Sequence, residues 1–100
     1  MIKFEHVVGF EWDAGNARKS EDKHGVSQAE AEQVFFNEPL LIKGDAAHSD
    51  AEKRYHALGR TDEGRRLHIT LTLRRDGTHI RIISARDMSR RERETYGEEG

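Results

Sequence analysis

The chain contains no cysteine, and only one proline and one tryptophan occur among its 100 residues. Without cysteine, neither a disulfide framework nor a zinc site with thiolate ligands can form, which fits a reducing cytoplasm. No run of about eighteen apolar residues occurs, and the N-terminus shows no cationic segment that leads into an apolar stretch. We therefore expect a soluble, cytoplasmic protein with no membrane association.

Apolar residues are also scarce, at 34% of the chain against 36% charged residues. A chain of this length holds a single core, so we expect one domain over residues 1–96 and a frayed tail over residues 97–100. So small an apolar fraction favours a thin fold of two layers, a sheet and helices, with large solvated faces.

Several well-known chemical motifs are missing. There is no Walker-type loop, no G-x-G-x-x-G and no nucleophile elbow, so the sequence does not support nucleotide hydrolysis or serine-esterase chemistry. The six histidines show no paired spacing such as H-x-x-x-H. We expect no metal site and no cofactor, and an incidental or structural role for most of the histidines.

Charge is unevenly distributed, and lysine is absent after residue 53. Residues 1–53 carry 6 Lys or Arg against 11 Asp or Glu, residues 54–93 carry 11 against 5, and residues 94–100 carry 0 against 3. Arginine suits phosphate because its planar fork donates two parallel hydrogen bonds and stays charged. The same pattern also fits a solvated strand edge and helix face, and composition leaves both interpretations open.

The hydrophobic pattern predicts an order of strand, helix, helix, four strands and helix. The predicted strands cover residues 3–10, 40–43, 54–60, 65–75 and 78–86, and the predicted helices cover 14–23, a segment that starts after Ser27 and ends before Pro39, and 88–96. Asp13 is a natural N-cap, and Ser27 with Glu30 forms a capping box. This order predicts an α+β fold of two layers with an antiparallel sheet of about five strands.

Asp76-Gly77 separates the last two strands and is the strongest short hairpin signal in the chain. With those two residues as the turn, the pairs on the core face are Leu73 with Ile80, Leu71 with Ile82, and Ile69 with Ser84. The opposite face would be polar enough to meet a ligand, and it carries Arg66, His68, Thr70, Thr72, Arg81 and Ile83. The same count places Arg54 on the face of Leu71, although one bulge would reverse this.

A polar loop precedes Arg54 and contains Asp45, His48 and Glu52. Its Asp and Ser side chains could simply make local turn hydrogen bonds. Alternatively, a carboxylate orients His48 beside an arginine that holds phosphate, which is the equipment for attack of a ribose 2′-hydroxyl on the adjacent phosphodiester. The role of Trp12 also has two interpretations, because an aromatic residue near a strand end either stacks on a base or packs in the core.

Read together, the motifs resemble the BrnT toxins, which are ribonucleases of type II toxin-antitoxin pairs. The matching segments are Phe10 to Asp13, Lys23 to Val26, Val34-Phe35 with Pro39, Asp45, His48, Ser49, Glu52, Arg54, Leu58-Gly59, Gly64-Arg65 with Leu67, Arg81 to Arg86, and Glu92-Arg93 with Tyr96. Ser20 replaces an asparagine that is frequent in the family, and Gln28 replaces a phenylalanine. These departures bear on helix packing and leave the family's charged residues in place.

The resemblance implies a RelE-like fold and metal-independent RNA cleavage that inhibits translation and growth. It implies that Lys23, His24 and His48 are candidates for proton transfer, and that Arg54 and Arg86 complete the catalytic group. Arg60, Arg81 and Trp12 would contact RNA. RelE-like enzymes differ in which groups act as acid and base, so the fold does not assign these roles.

The resemblance also implies a BrnA-like antitoxin with a ribbon-helix-helix DNA-binding part, assembled with the toxin as a heterotetramer. The toxin would then meet DNA only through the antitoxin. The alternative to a ribonuclease toxin is a catalytically inactive module that binds RNA or its antitoxin.

Overall fold

The computed structural model describes residues 7–45 and 53–99. The elements follow the predicted order: β1 (Gly9–Trp12), α1 (Ala14–His24), α2 (Gln28–Gln33), a short 3₁₀ helix (Val34–Phe36), β2 (Leu41–Asp45), β3 (Arg54–Arg60), β4 (Arg66–Arg74), β5 (His79–Asp87) and α3 (Arg90–Glu99). Within the described ranges, no helix is both long and apolar enough to cross a membrane. The α+β class and the number of strands are therefore as predicted.

The five strands form one mixed sheet in the order β1-β5-β4-β3-β2. Three neighbouring pairs are antiparallel, but β1 runs parallel to β5, so the prediction of an antiparallel sheet was wrong for this pair. Because α1 and α2 carry the chain from β1 at one edge to β2 at the other, β1 meets β5 without a hairpin between them. The hydrophobic pattern of a strand does not report its direction, so the sequence could not distinguish the two arrangements.

Local signals for the first two helices are confirmed in detail. Asp13 Oδ1 accepts a hydrogen bond from the Gly15 backbone N–H at 2.8 Å. The helix α1 ends where Gly25 adopts a left-handed φ of 62°. In the capping box, Ser27 Oγ accepts from the Glu30 N–H and Glu30 Oε1 accepts from the Ser27 N–H, each at 3.1 Å. The short helix α2 is therefore fixed at its N-terminus by its own sequence.

The β4–β5 hairpin keeps the predicted pairs of Leu73 with Ile80 and Leu71 with Ile82. Beyond them a β-bulge shifts the register, so that Ile69 pairs with Ala85 and the predicted pair with Ser84 was wrong. The Ala85 backbone N–H donates to the buried Ser20 hydroxyl of α1 at 3.1 Å. The serine that replaces the family's asparagine therefore supports the packing of α1 on β5.

The turn of this hairpin contains the predicted Asp76-Gly77. The Thr78 N–H donates to the Arg75 carbonyl and the Gly77 N–H donates to the Arg74 carbonyl, each at 3.2 Å. Arg75, Asp76 and Gly77 have positive φ of 53°, 56° and 84°. Two overlapping turns therefore join β4 to β5, one centred on Asp76-Gly77 as predicted and the other on Arg75-Asp76.

The core lies between one face of the sheet and the helices α1 and α2. Its buried hydrophobic side chains are Val26, Ala31, Val34, Ala57, Leu67, Ile69, Leu71, Ile80, Ile82 and Ala85. The approach is closest at Gly59, where a Cβ atom would lie 2.4 Å from Val34 Cγ1. Gly59 is therefore required for the 3₁₀ helix to sit on β3.

The bounds of the first strand and the last helix differ most from the predictions. The first strand begins at Gly9 and ends at Trp12, whereas it was predicted over residues 3–10, of which residues 3–6 lie outside the described part. The last helix begins at Arg90 and continues to Glu99, past the predicted end at Tyr96. Both elements end two or three residues beyond their predicted ends, because a hydrophobic pattern defines the type of an element better than its bounds.

Candidate functional site

The face of the sheet opposite the core, here called the open face, carries three rows of side chains across β3, β4 and β5. The first row is Arg54, Thr72 and Arg81; the second is His56, Thr70 and Ser84; the third is Leu58, His68 and Arg86. Arg54 pairs with Thr72, so its expected place on the face of Leu71 was wrong. The rows bring three arginines and two histidines of the arginine-rich half of the chain onto one surface.

His56 is held on the open face by hydrogen bonds at both of its ring nitrogens. Its Nε2 lies 2.8 Å from Asp45 Oδ2, and its Nδ1 lies 3.2 Å from the Thr70 hydroxyl. Because a carboxylate only accepts, Nε2 carries the proton in the neutral ring and Nδ1 accepts from Thr70. The carboxylate therefore fixes the tautomer whose lone pair is on Nδ1, which is the arrangement of a histidine held for proton transfer.

His68 packs beside His56, with the ring centroids 5.0 Å apart. It is only 8% exposed, and its Nδ1 has no hydrogen-bond partner in the described part of the chain. Burial, and to a smaller extent the nearby guanidinium of Arg86, lower the pKa of His68 to about 4 against the opposing effect of Glu92. His68 is therefore neutral at pH 7 and forms the floor of the site.

The helix α3 contacts the third row through Glu92, whose carboxylate accepts two hydrogen bonds from Arg86; this pair is called the fork here. Glu92 Oε1 accepts from Arg86 Nη1 at 2.7 Å and Glu92 Oε2 accepts from Arg86 Nη2 at 3.0 Å. Glu92 also completes a capping box with Ser89, whose backbone N–H donates to it at 2.8 Å. The hydrogen bonds from Arg86 are the main cause that lowers the pKa of Glu92 to about 2. This fork joins the end of β5 to the first turn of α3.

The first row carries two arginines beside a buried threonine. Arg54 and Arg81 stand on either side of Thr72 across two strand spacings, which is about 10 Å between their backbones. Thr72 is buried, and its hydroxyl donates to the Lys53 carbonyl at 2.7 Å. The row therefore brings two positive charges to the same end of the open face.

Four other predicted site residues lie away from this centre. Arg60, at the end of β3, donates from Nε to the Glu38 carbonyl at 2.9 Å. Trp12 packs against the core, and its Nε1 donates to Glu32 at 2.8 Å. Lys23 and His24 end α1, on the core side of the sheet, where the His24 carbonyl accepts from Arg65 at 3.0 Å. The fifth, His48, lies outside the described residues.

Sequence reasoning missed His56, and it placed His68 on the open face without giving it a role. It named Asp45 and Glu52 as the carboxylates near His48 in the chain. In the structure Asp45 meets His56 across the β2–β3 pair. The alternation of residues along two predicted neighbouring strands could have placed both histidines on one face, had the register of those strands been known. No group of three His, Asp or Glu suited to a metal occurs among the residues described.

The fold and the site together describe a small α+β domain with a basic, histidine-bearing face. A similar fold occurs in the crystal structure of the ribonuclease toxin BrnT of Brucella abortus, with a TM-score of 0.59 and 19% sequence identity over 84% of this chain and 100% of that chain. At this identity the likeness concerns the fold alone.

The family follows from a separate comparison. The model of the family described as ribonuclease toxin, BrnT, of type II toxin-antitoxin system matches residues 12–92. The chain therefore belongs to the BrnT family of ribonuclease toxins, as its motifs predicted. A search of curated proteins found no match to the chain.

Proposed function

We propose that the open face is a ribonuclease active site that cleaves RNA without a metal, by attack of a ribose 2′-hydroxyl on the adjacent phosphodiester. The observation that carries this proposal is the position of His56. It is held by Asp45 and Thr70 in the middle row, between the rows that contain Arg54, Arg81 and Arg86. A histidine that is oriented by a carboxylate and has arginines in the neighbouring rows of the same face is suited to this reaction.

In the proposed reaction His56 acts as the base. A ribose 2′-hydroxyl that replaces the Thr70 hydroxyl at Nδ1 gives its proton to the imidazole, and Asp45 stabilises the resulting imidazolium. The bond from the 2′-oxygen to phosphorus forms while the bond to the 5′-oxygen breaks. The products are a 2′,3′-cyclic phosphate and a 5′-hydroxyl. Arg54 and Arg81 stabilise the charge that develops on the phosphoryl oxygens.

The leaving 5′-oxygen needs a proton, and the candidates for this step come from the family resemblance. They are Lys23, His24 and His48. Lys23 and His24 lie on the core side of the sheet, out of reach of a leaving oxygen at His56, so in the reaction proposed here the proton comes from water or from His48. Mutation of Lys23 or His24 therefore separates their role from that of His56. Trp12 and Arg60 stay in the proposal as contacts to RNA beyond the central rows.

Type II toxins act with an antitoxin, and we propose a BrnA-like ribbon-helix-helix protein in this role. An acidic or amphipathic segment of the antitoxin would cover the arginines of the open face and so prevent access of RNA. We propose further that toxin and antitoxin form a heterotetramer and that the toxin meets DNA only through the antitoxin. The same proposal includes a RelE-like relationship and action in the cytoplasm, where RNA is translated.

One observation favours the alternative, an inactive module that binds RNA or the antitoxin. Glu92 occupies both terminal nitrogens of Arg86, so this guanidinium is already engaged by a carboxylate. A toxin that uses Arg86 must open the fork before phosphate binds. An inactive module would keep it closed.

The test is RNA cleavage by the purified protein in the presence of a chelator, with analysis of the fragment ends. We expect 2′,3′-cyclic phosphate ends from the unmodified protein and losses of at least about a hundredfold for His56→Ala and Arg54→Ala. His79→Ala and Arg18→Ala serve as controls, because His79 lies at the far end of β5 from His56 and Arg18 is exposed on α1, on the other side of the sheet. Unfolding curves establish that each variant is folded.

Three results would contradict the proposal in different ways. Full activity of His56→Ala, together with inactivity of His24→Ala, would move the proton transfer to the end of α1. A folded protein that binds RNA but leaves it intact would support the inactive module. Cleavage that requires a divalent metal would exclude the proposed chemistry.

A further inference from the structure

A cavity of about 430 Å³ lies between α3 and the β2–β3 side of the open face. Its apolar walls include Leu41 and Leu58, which are direct partners across the two strands. His56 forms the side of the cavity that meets the proposed reaction centre. A volume of this size is within the range that holds small ligands, which is about 300–1,000 Å³.

The shape and position of the cavity suit a nucleobase. Leu41 and Leu58 offer an apolar surface on which the face of a base can lie, and the imidazole of His56 adds a ring at its side. Leu58 follows His56 by two residues on β3, a separation of about 7 Å along the strand. A nucleotide whose phosphate lies over His56 therefore places its base in the cavity.

The charged side chains that line the cavity are two exposed cations and one carboxylate that is already bound. Lys43 and Arg91 line it, both are exposed, and neither side chain has a partner among residues 7–45 and 53–99. Glu92 also lines it, but its oxygens are bound by Arg86 and by the Ser89 N–H. The cavity thus presents two unpaired cations and no available carboxylate.

This set of donors points to a base with two adjacent acceptors. Guanine presents O6 and N7 on one edge, and a guanidinium binds both at once. Adenine and cytosine place an amino donor at the corresponding position, which an arginine cannot accept. We propose that this cavity binds the base next to the cleaved bond and prefers guanine, with Arg91 as the specificity-determining residue. The proposal rests on the ribonuclease function given above.

Binding of nucleoside monophosphates tests the proposal without relying on cleavage. GMP, AMP, CMP and UMP are titrated into the full chain, and the imidazole resonances of His56 and His68 are followed by NMR. We expect GMP to bind at least about tenfold more tightly than the other three, and Arg91→Ala to abolish this preference. Arg90→Ala is the matched control, because Arg90 neighbours Arg91 on α3 but pairs with Glu94 at 3.7 Å and does not line the cavity.

The outcomes separate this proposal from the ribonuclease function. GMP selectivity that depends on Arg91, in a protein that cuts no RNA, would support the base site and refute the ribonuclease. RNA cleavage with no preference among bases, and equal or absent binding of the four nucleotides, would overturn the base site and leave the ribonuclease in place. Guanine selectivity that persists in Arg91→Ala would overturn the assignment to Arg91.

Discussion

The burial of His68 makes the stability of this protein depend on pH. Its pKa is lowered from 6.5 to about 4, mainly because burial disfavours the imidazolium. Between these values the unfolded chain binds a proton at this residue and the folded chain does not. Stability is therefore complete above pH 6.5 and falls as the pH decreases toward 4. At about 1.4 kcal/mol for each pH unit, the free energy of unfolding should decrease by about 3 kcal/mol over this range.

The assay is urea denaturation at pH 7, 6, 5 and 4, with His68→Leu as the test variant. Leucine has no proton to gain and removes the unpartnered Nδ1. The variant should therefore lose about 3 kcal/mol less than the unmodified protein between pH 7 and 4. The same substitution at His79, at the far end of β5, should leave the loss at acid pH in place. Equal slopes for the unmodified protein and His68→Leu, or an imidazole that titrates near 6.5 by NMR, would refute the reasoning.

Three further predictions concern contacts that hold the site in place, and each is measured by chemical denaturation. Because the pKa of Glu92 is lowered, its pair with Arg86 stabilises the fold above pH 4.5, and this stabilisation is lost as the pH falls toward 2. Glu92→Gln should therefore lower the free energy of unfolding by about 1–2 kcal/mol at pH 7. A loss that is unchanged at pH 2.5 would contradict this prediction. Arg65→Ala should lower the free energy of unfolding by about 2–4 kcal/mol, because the Arg65 guanidinium makes five hydrogen bonds that join the ends of α1, α2 and β5. A loss below about 0.5 kcal/mol would show that these bonds are dispensable. Gly59→Ala should cost about 1–3 kcal/mol because of the 2.4 Å approach of Val34, whereas Gly44→Ala, where a Cβ meets nothing within 4 Å, should be nearly neutral; equal effects would refute the steric argument.

The local elements of this fold could be predicted because their signals lie within a few residues of one another. The capping box at Ser27 and the glycine that ends α1 are examples. The hairpin pairs nearest the turn, such as Leu71 with Ile82, follow from counting outward from the turn. The arginine-rich half was visible from composition, and the order of the motifs was sufficient to identify the family.

The tertiary structure decided which of these residues share a face. The bulge in β5 accompanies a hydrogen bond to Ser20, which lies 65 residues earlier in the chain, so no local pattern could indicate it. The bulge places Ser84 and Arg86 on the open face, and the register of β3 against β4 places Arg54 there. The pairing of β2 with β3 brings Asp45 to His56. The sequence by itself determined the elements, the charge and the family. Only packing between distant segments determined the site, because it depends on register and strand direction, which the residues of a single strand do not encode.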